Sequence, residues 1–130
     1  MIKFLLKYSL LLALLWTLII FVLCSTPGRF VPTTSWLELV SFDKFVHATM
    51  FFTLVCLWFL YLFYSNKLST TSIVVILILS VAYGGLLEIM QATLFSERSG
   101  DWFDFIANSF GCVMGLWFFT KNKYRLNQVI

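Results

Sequence analysis

Apolar residues run along this chain in unbroken blocks, without the stripes of a half-buried helix or the alternation of a half-buried strand. The blocks predict helices over about Phe4–Leu23, Phe45–Tyr64, Ile73–Leu94 and Phe103–Thr120. Each is near the ~20 residues needed to cross ~30 Å of hydrocarbon. Lipid offers no partner to an unpaired backbone amide or carbonyl, so the spans must be helical. The fold class expected is therefore all-α, an integral membrane bundle of four transmembrane helices. Residues 1–130 form one domain on this reading, because no repeat, low-complexity tract or interdomain linker interrupts them.

The first block follows Lys3 and Lys7 and invites comparison with a secretory signal, but it is longer than the usual apolar core and lacks a small-x-small cleavage site. Leu23 before Cys24 is bulky where lipoprotein processing wants a small residue. An uncleaved helix is the reading.

Composition agrees with the blocks: 61% of residues are hydrophobic and only 12% charged, far from soluble globular usage. Charge sets the orientation. Lys3, Lys7, Lys67, Lys121, Lys123 and Arg125 fall on one side of the spans with no carboxylate among them. Arg29, Lys44 and Arg98 share the other side with all six acidic residues, Glu38, Asp43, Glu88, Glu97, Asp101 and Asp104. The positive-inside rule then places both termini in the cytoplasm and the two longer connections outside the cytoplasmic (inner) membrane. Nothing in this distribution suits nucleic acid.

Cys24, Cys56 and Cys112 are odd in number and lack paired spacing, so they read as small apolar residues and not as a disulfide or zinc framework. No cofactor is called for.

Polar residues concentrate where the spans meet the outer side. Ser25-Thr26-Pro27-Gly28 stops the first helix, and Pro32 lies a few residues on. Ser35-Trp36-Leu37-Glu38 matches a capping box. A short interfacial helix over Trp36–Val40 would lay Trp36, Leu37 and Leu39 at head-group depth. The second span opens with Asp43, Lys44 and His47, which share a helix face at spacings of three and four. Capping by Ser41 and Asp43 and snorkelling by Lys44 account for the first residues. They do not account for His47, a turn into the apolar region, where a polar residue needs a partner.

The third span carries Ser80, Gly84, Glu88 and Gln91 on one stripe, and the fourth carries Asp104, Asn108, Gly111 and Gly115 on another. Both are small at depth and polar near the outer side. Small residues let neighbouring helices approach closely, so the expectation is that Gly84, Gly111 and Gly115 join the third and fourth spans. Glu88, Gln91, Asp104 and Asn108 then face one another near the outer leaflet, with Arg98, His47 and Lys44 beside them. Glu88 lies two turns inside the span, where it must be paired, protonated or solvated. Arg98-Ser99-Gly100 sets a cation on a tight turn ahead of a helix start, an arrangement suited to an anion. Asp101 or Ser99 can cap that helix, with Asp104 in its first turn favouring the dipole.

The ordered set Asp43-Lys44-x-x-His47, Glu88-x-x-Gln91, Arg98, and Asp104-x-x-x-Asn108-x-x-Gly111-x-x-x-Gly115, with Pro27-Gly28 after the first helix, resembles the signature of VanZ-like membrane proteins. The resemblance covers nearly the whole chain. It implies a small four-helix membrane protein of the cell envelope, related to a founding member associated with low-level resistance to the glycopeptide teicoplanin. The family does not itself supply a reaction.

The residues support several functions. In one, the protein recognises or modifies an anionic lipid-linked molecule, such as a polyprenyl phosphate or a cell-wall precursor. Arg98, Lys44 and His47 would hold its phosphate while Glu88 or Asp104 carries a proton, and Asp43, Gln91 and Asn108 complete the site. In another, the same side chains only fix helix packing or a protein partner. A transporter lacks a midplane polar site and an inverted repeat. A metal enzyme built on His47, Glu88 and Asp104 has no recognised ligand spacing. Whether a reaction is catalysed stays open.

Overall fold

The computed structural model describes residues 1–30 and 36–128, with side chains from Phe42 onward in the second stretch. Over those residues the chain is all-helical: α1 Ile2–Lys7, α2 Ser9–Ser25, a 3-10 turn at Gly28–Phe30, α3 Trp36–Tyr64, α4 Thr70–Thr93 and α5 Trp102–Asn127. Three stretches, Phe42–Tyr64, Thr70–Thr93 and Trp102–Asn127, are long and apolar enough to cross a membrane, and α2 is a shorter apolar helix of 17 residues.

Local chemistry moves several boundaries from those the apolar blocks predict. The first block is two helices, because the backbone leaves the helical basin at Tyr8 (φ −103°, ψ 13°) and the Ser9 hydroxyl donates back to the Leu6 carbonyl at 2.7 Å. The second span has no cap at Ser41 or Asp43, since α3 already begins at Trp36 and both positions are interior to it. The stretch Trp36–Val40 is thus the start of α3 and not a separate helix. The capping box of Ser35 and Glu38 and the anchoring by Trp36, Leu37 and Leu39 lie outside the described residues. α4 starts earlier than the apolar run because Ser69 and Ser72 form a reciprocal capping box. Asp101 caps α5, its Oδ1 accepting from the Phe103 amide at 2.8 Å.

The most extensive pairing is between α3 and α5. Lys44 meets Asp104, His47 meets Asn108, and Phe59 stacks on Phe119. Both sequences therefore advance in the same direction, and the two helices run parallel. Gly111 and Gly115 make this possible. A Cβ on Gly111 would meet the Ala48 carbonyl and stand 3.0 Å from the Phe52 nitrogen, and one on Gly115 would stand 3.0 Å from the Phe52 oxygen. Hence the small stripe of α5 presses on α3, and not on α4 as the two matched stripes suggested. Gly84 does join α4 to α5, receiving Asn108, whose Cβ would lie 3.2 Å from an added methyl.

α2 is fastened by side chains donating to backbone oxygens across helices. Trp16 Nε1 bonds the Met50 carbonyl at 3.0 Å, Tyr83 the Thr17 carbonyl at 2.8 Å, and Gln91 the Cys24 carbonyl at 3.0 Å. Phe51, Leu54, Val55 and Phe59 of α3 fill the centre. Leucines, isoleucines and phenylalanines on the outer faces of α2, α4 and α5, such as Leu18, Ile78, Ile89 and Phe110, stay exposed. So continuous an apolar exterior suits lipid and not water.

Candidate functional site

Polar side chains of α3, α4 and α5 meet at the end of the bundle where α4 finishes and α5 starts. The parallel packing of α3 and α5 puts the first turns of both spans level, and antiparallel α4 brings Glu88 to the same height. Lys44 Nζ lies 2.8 Å from Asp101 Oδ2 and 2.6 Å from Asp104 Oδ1. His47 is 3% exposed, and its Nδ1 lies 3.0 Å from Asn108 Oδ1. Its Nε2 points between Asp43 Oδ1 at 3.7 Å and Asp104 Oδ2 at 3.8 Å, both too long for hydrogen bonds.

Glu88 closes the cluster from α4. Its Oε2 accepts from the Asp101 amide at 3.0 Å, tying the end of α4 to the start of α5. Its Oε1 lies 4.0 Å from His47 Nδ1 and is buried without a hydrogen bond among the described residues. Two acceptors, Asn108 Oδ1 and Glu88 Oε1, therefore face Nδ1; in the tautomer that donates from Nδ1 to Asn108, Nε2 carries the ring's lone pair. At the rim, the Lys44 ammonium bonded to Asp101 holds that carboxyl below its usual range, aided by the Phe103 amide.

Most of the side chains expected to converge do so: Asp43, Lys44, His47, Glu88, Asp104 and Asn108. Gln91 does not. It is buried against α2 on the Cys24 carbonyl, one helical turn past Glu88. Arg98 is half-buried on the turn and makes no ion pair or side-chain hydrogen bond among the described residues. Asp101 does more than cap, since it shares Lys44 with Asp104.

The sequence reading passed over Arg29. The Arg29 amide donates to Glu97 Oε2 at 2.9 Å, and a Cβ on neighbouring Gly28 would meet the Glu97 carbonyl. Glu97 itself adopts a left-handed backbone, φ 57°. The turn after α2 and the turn before α5 are thus in contact, which puts Arg29 and Arg98 on adjoining turns. Nothing in the sequence spacing links positions so far apart, although Pro27-Gly28 marked the first of them as a turn. No family model, curated protein or solved structure matches the chain.

Proposed function

We propose that the chain is a VanZ-like cell-envelope protein whose polar end engages the anionic group of a lipid-linked molecule, a polyprenyl phosphate or cell-wall precursor. On this reading α1 and α2 together make a fourth crossing, both termini are cytoplasmic, and the polar end faces outward from the inner membrane. One observation carries the proposal: His47, Glu88, Asp104 and Asn108, drawn from three helices, are buried together at the end of the bundle where the turns carrying Arg29 and Arg98 adjoin, and neither arginine has a carboxylate partner among the described residues.

The division of labour follows from what each group already holds. Lys44 is committed to Asp101 and Asp104, so Arg98 and Arg29 are the cations that supply donors to a phosphate. Glu88 and Asp104 are the proton carriers if a reaction takes place, through His47 between them. An open apolar groove between α4 and α5, lined by Leu77, Val81, Gly85, Leu86, Ile89 and Phe105, gives a prenyl or acyl chain a course beside that end.

The competing reading, in which the cluster only fixes packing, draws on Lys44 bridging α3 to α5. It leaves Glu88 Oε1 unexplained, because a purely structural network gains nothing from a buried oxygen without a donor. Teicoplanin susceptibility of a sensitive bacterium expressing the parent, Glu88→Gln or Arg98→Ala separates them, with membrane abundance measured by immunoblot and co-purifying lipid by mass spectrometry. Protection or bound polyprenyl phosphate that disappears in equally abundant variants is the expected result. Loss of the Glu88→Gln protein from the membrane, with Arg98→Ala equal to the parent, sinks the proposal.

A further inference from the structure

We propose that Asp43, His47 and Asp104 bind a divalent transition-metal ion, Zn²⁺ or Mn²⁺, at the boundary end of α3 and α5. One ligand atom from each lies within 4.8 Å of the others. The inference goes beyond the phosphate reading and stands without it, since neither Arg29 nor Arg98 takes part.

Three observations lead here. The His47 Nε2 faces two carboxylate oxygens at 3.7 and 3.8 Å, so three atoms able to ligate a metal converge, and neither oxygen is within hydrogen-bonding distance of Nε2. Lys44 does not supply one, because it bonds the other oxygen of Asp104, Oδ1. Atoms about 2.2 Å from a shared ion and about 120° apart stand about 3.8 Å from each other, within the usual range of zinc–nitrogen and zinc–oxygen bonds. A small rotation of the half-exposed Asp43 carboxylate draws in the remaining pair.

The ring is also held as metal-ligating histidines are. Nδ1 lies 3.0 Å from Asn108 Oδ1 with Glu88 Oε1 behind it at 4.0 Å, an outer pair of acceptors that favours the Nδ1–H tautomer and orients the ring. That arrangement gives the unpartnered Glu88 oxygen a purpose, aimed through the imidazole at the ion. Finally, four carboxylates, Asp43, Glu88, Asp101 and Asp104, share this cluster with one ammonium, Lys44, and among the described residues neither Arg29 nor Arg98 forms an ion pair with any of them. A surplus of negative charge at the edge of hydrocarbon is costly, and a divalent cation offsets it. One histidine and two carboxylates without thiolate is a donor set for Zn²⁺ or Mn²⁺, and it leaves coordination positions for water or a phosphate oxygen.

The test uses the full chain purified in detergent, with any affinity tag removed and the protein stripped by EDTA, then titrated with Zn²⁺, Mn²⁺ and the spectroscopic probe Co²⁺. The parent should bind one equivalent, give a Co²⁺ visible spectrum with nitrogen and oxygen ligation, and resist heat better when loaded. Asp43→Asn, whose side chain is half-exposed and whose fold should survive, should weaken binding at least about tenfold, and Asn108→Ala should weaken it by about 10–100-fold through the second shell. His47→Gln should remove the Co²⁺ spectrum. Stoichiometric binding that is unchanged in Asp43→Asn and His47→Gln overturns the proposal, as does an absence of binding. Loss of metal with teicoplanin protection intact, or the reverse, separates this site from the phosphate reading.

Discussion

Adding a single methyl group at Gly111 should part α3 from α5. The new Cβ of Gly111→Ala would meet the Ala48 carbonyl oxygen, and would stand 2.9 Å from the Ala48 carbonyl carbon and 3.0 Å from the Phe52 nitrogen. Those atoms belong to the backbone of a helix and cannot swing aside. Carbon contacts are comfortable at about 3.5–4.0 Å, so the helices must separate by about 1 Å. Overpacking of this kind costs about 1–3 kcal/mol. It also reaches the polar cluster, because Asn108 lies one turn before Gly111 on the same face. A shift of about 1 Å takes its 3.0 Å contact with His47 out of hydrogen-bonding range.

Gly85→Ala is the control. Its Cβ would meet only the edge of the Phe105 ring, at 3.2 Å, and that side chain can turn away. Both variants would be compared by thermal unfolding in one detergent. A loss for Gly111→Ala on the order of 5 °C is expected, with little change for Gly85→Ala. Equal stability of the two would refute the claim that α3 and α5 touch backbone to backbone.

Replacing Lys44 by Met strands Asp104, which is only 9% exposed on its side chain, and should destabilise the protein by about 2–3 kcal/mol, less than for a fully buried pair. Asp104→Asn in the same chain should recover part of this, and a double-mutant cycle by thermal unfolding measures the coupling. Because Lys44 holds the Asp101 carboxyl below its usual range, the stabilisation is complete above the unfolded pKa of about 3.9 and is lost as pH falls through the lower folded value. Midpoints taken between pH 6 and pH 3 should therefore fall less steeply for Asp101→Asn than for the parent. Gln91→Leu leaves the buried Cys24 carbonyl without its donor and should cost about 1–3 kcal/mol. Under the proposed function, any lipid binding or teicoplanin protection found for the parent should be equalled by Gln91→Leu at matched abundance, since Gln91 stands outside the cluster.

Three of the spans were legible because block hydrophobicity over twenty residues is a local property, and so was the shared face of Asp43 and His47 one turn apart on α3. The glycines announced close approach but not to which helix. Gly84, Gly111 and Gly115 carry the same message, and only the parallel packing of α3 on α5 decides that two of them face Ala48 and Phe52. Gln91 was misplaced for a related reason. Its spacing of three from Glu88 puts it on the same broad face, yet that face is wide enough for Glu88 to meet α5 while Gln91 meets α2. The break at Tyr8 and the cap at Ser69 follow from single backbone torsions and a hydroxyl pair, which an apolar run conceals.

The parallel pairing of α3 with α5 also orders events during synthesis. α4 and both turns around it are translated between the two partners, so α3 waits with Lys44 and His47 lacking the acceptors that α5 later brings. Until Asp101, Asp104 and Asn108 emerge, Lys44 lacks both carboxylates that it bonds, and His47 has only Asp43 of its own helix and Glu88 of α4 beside it.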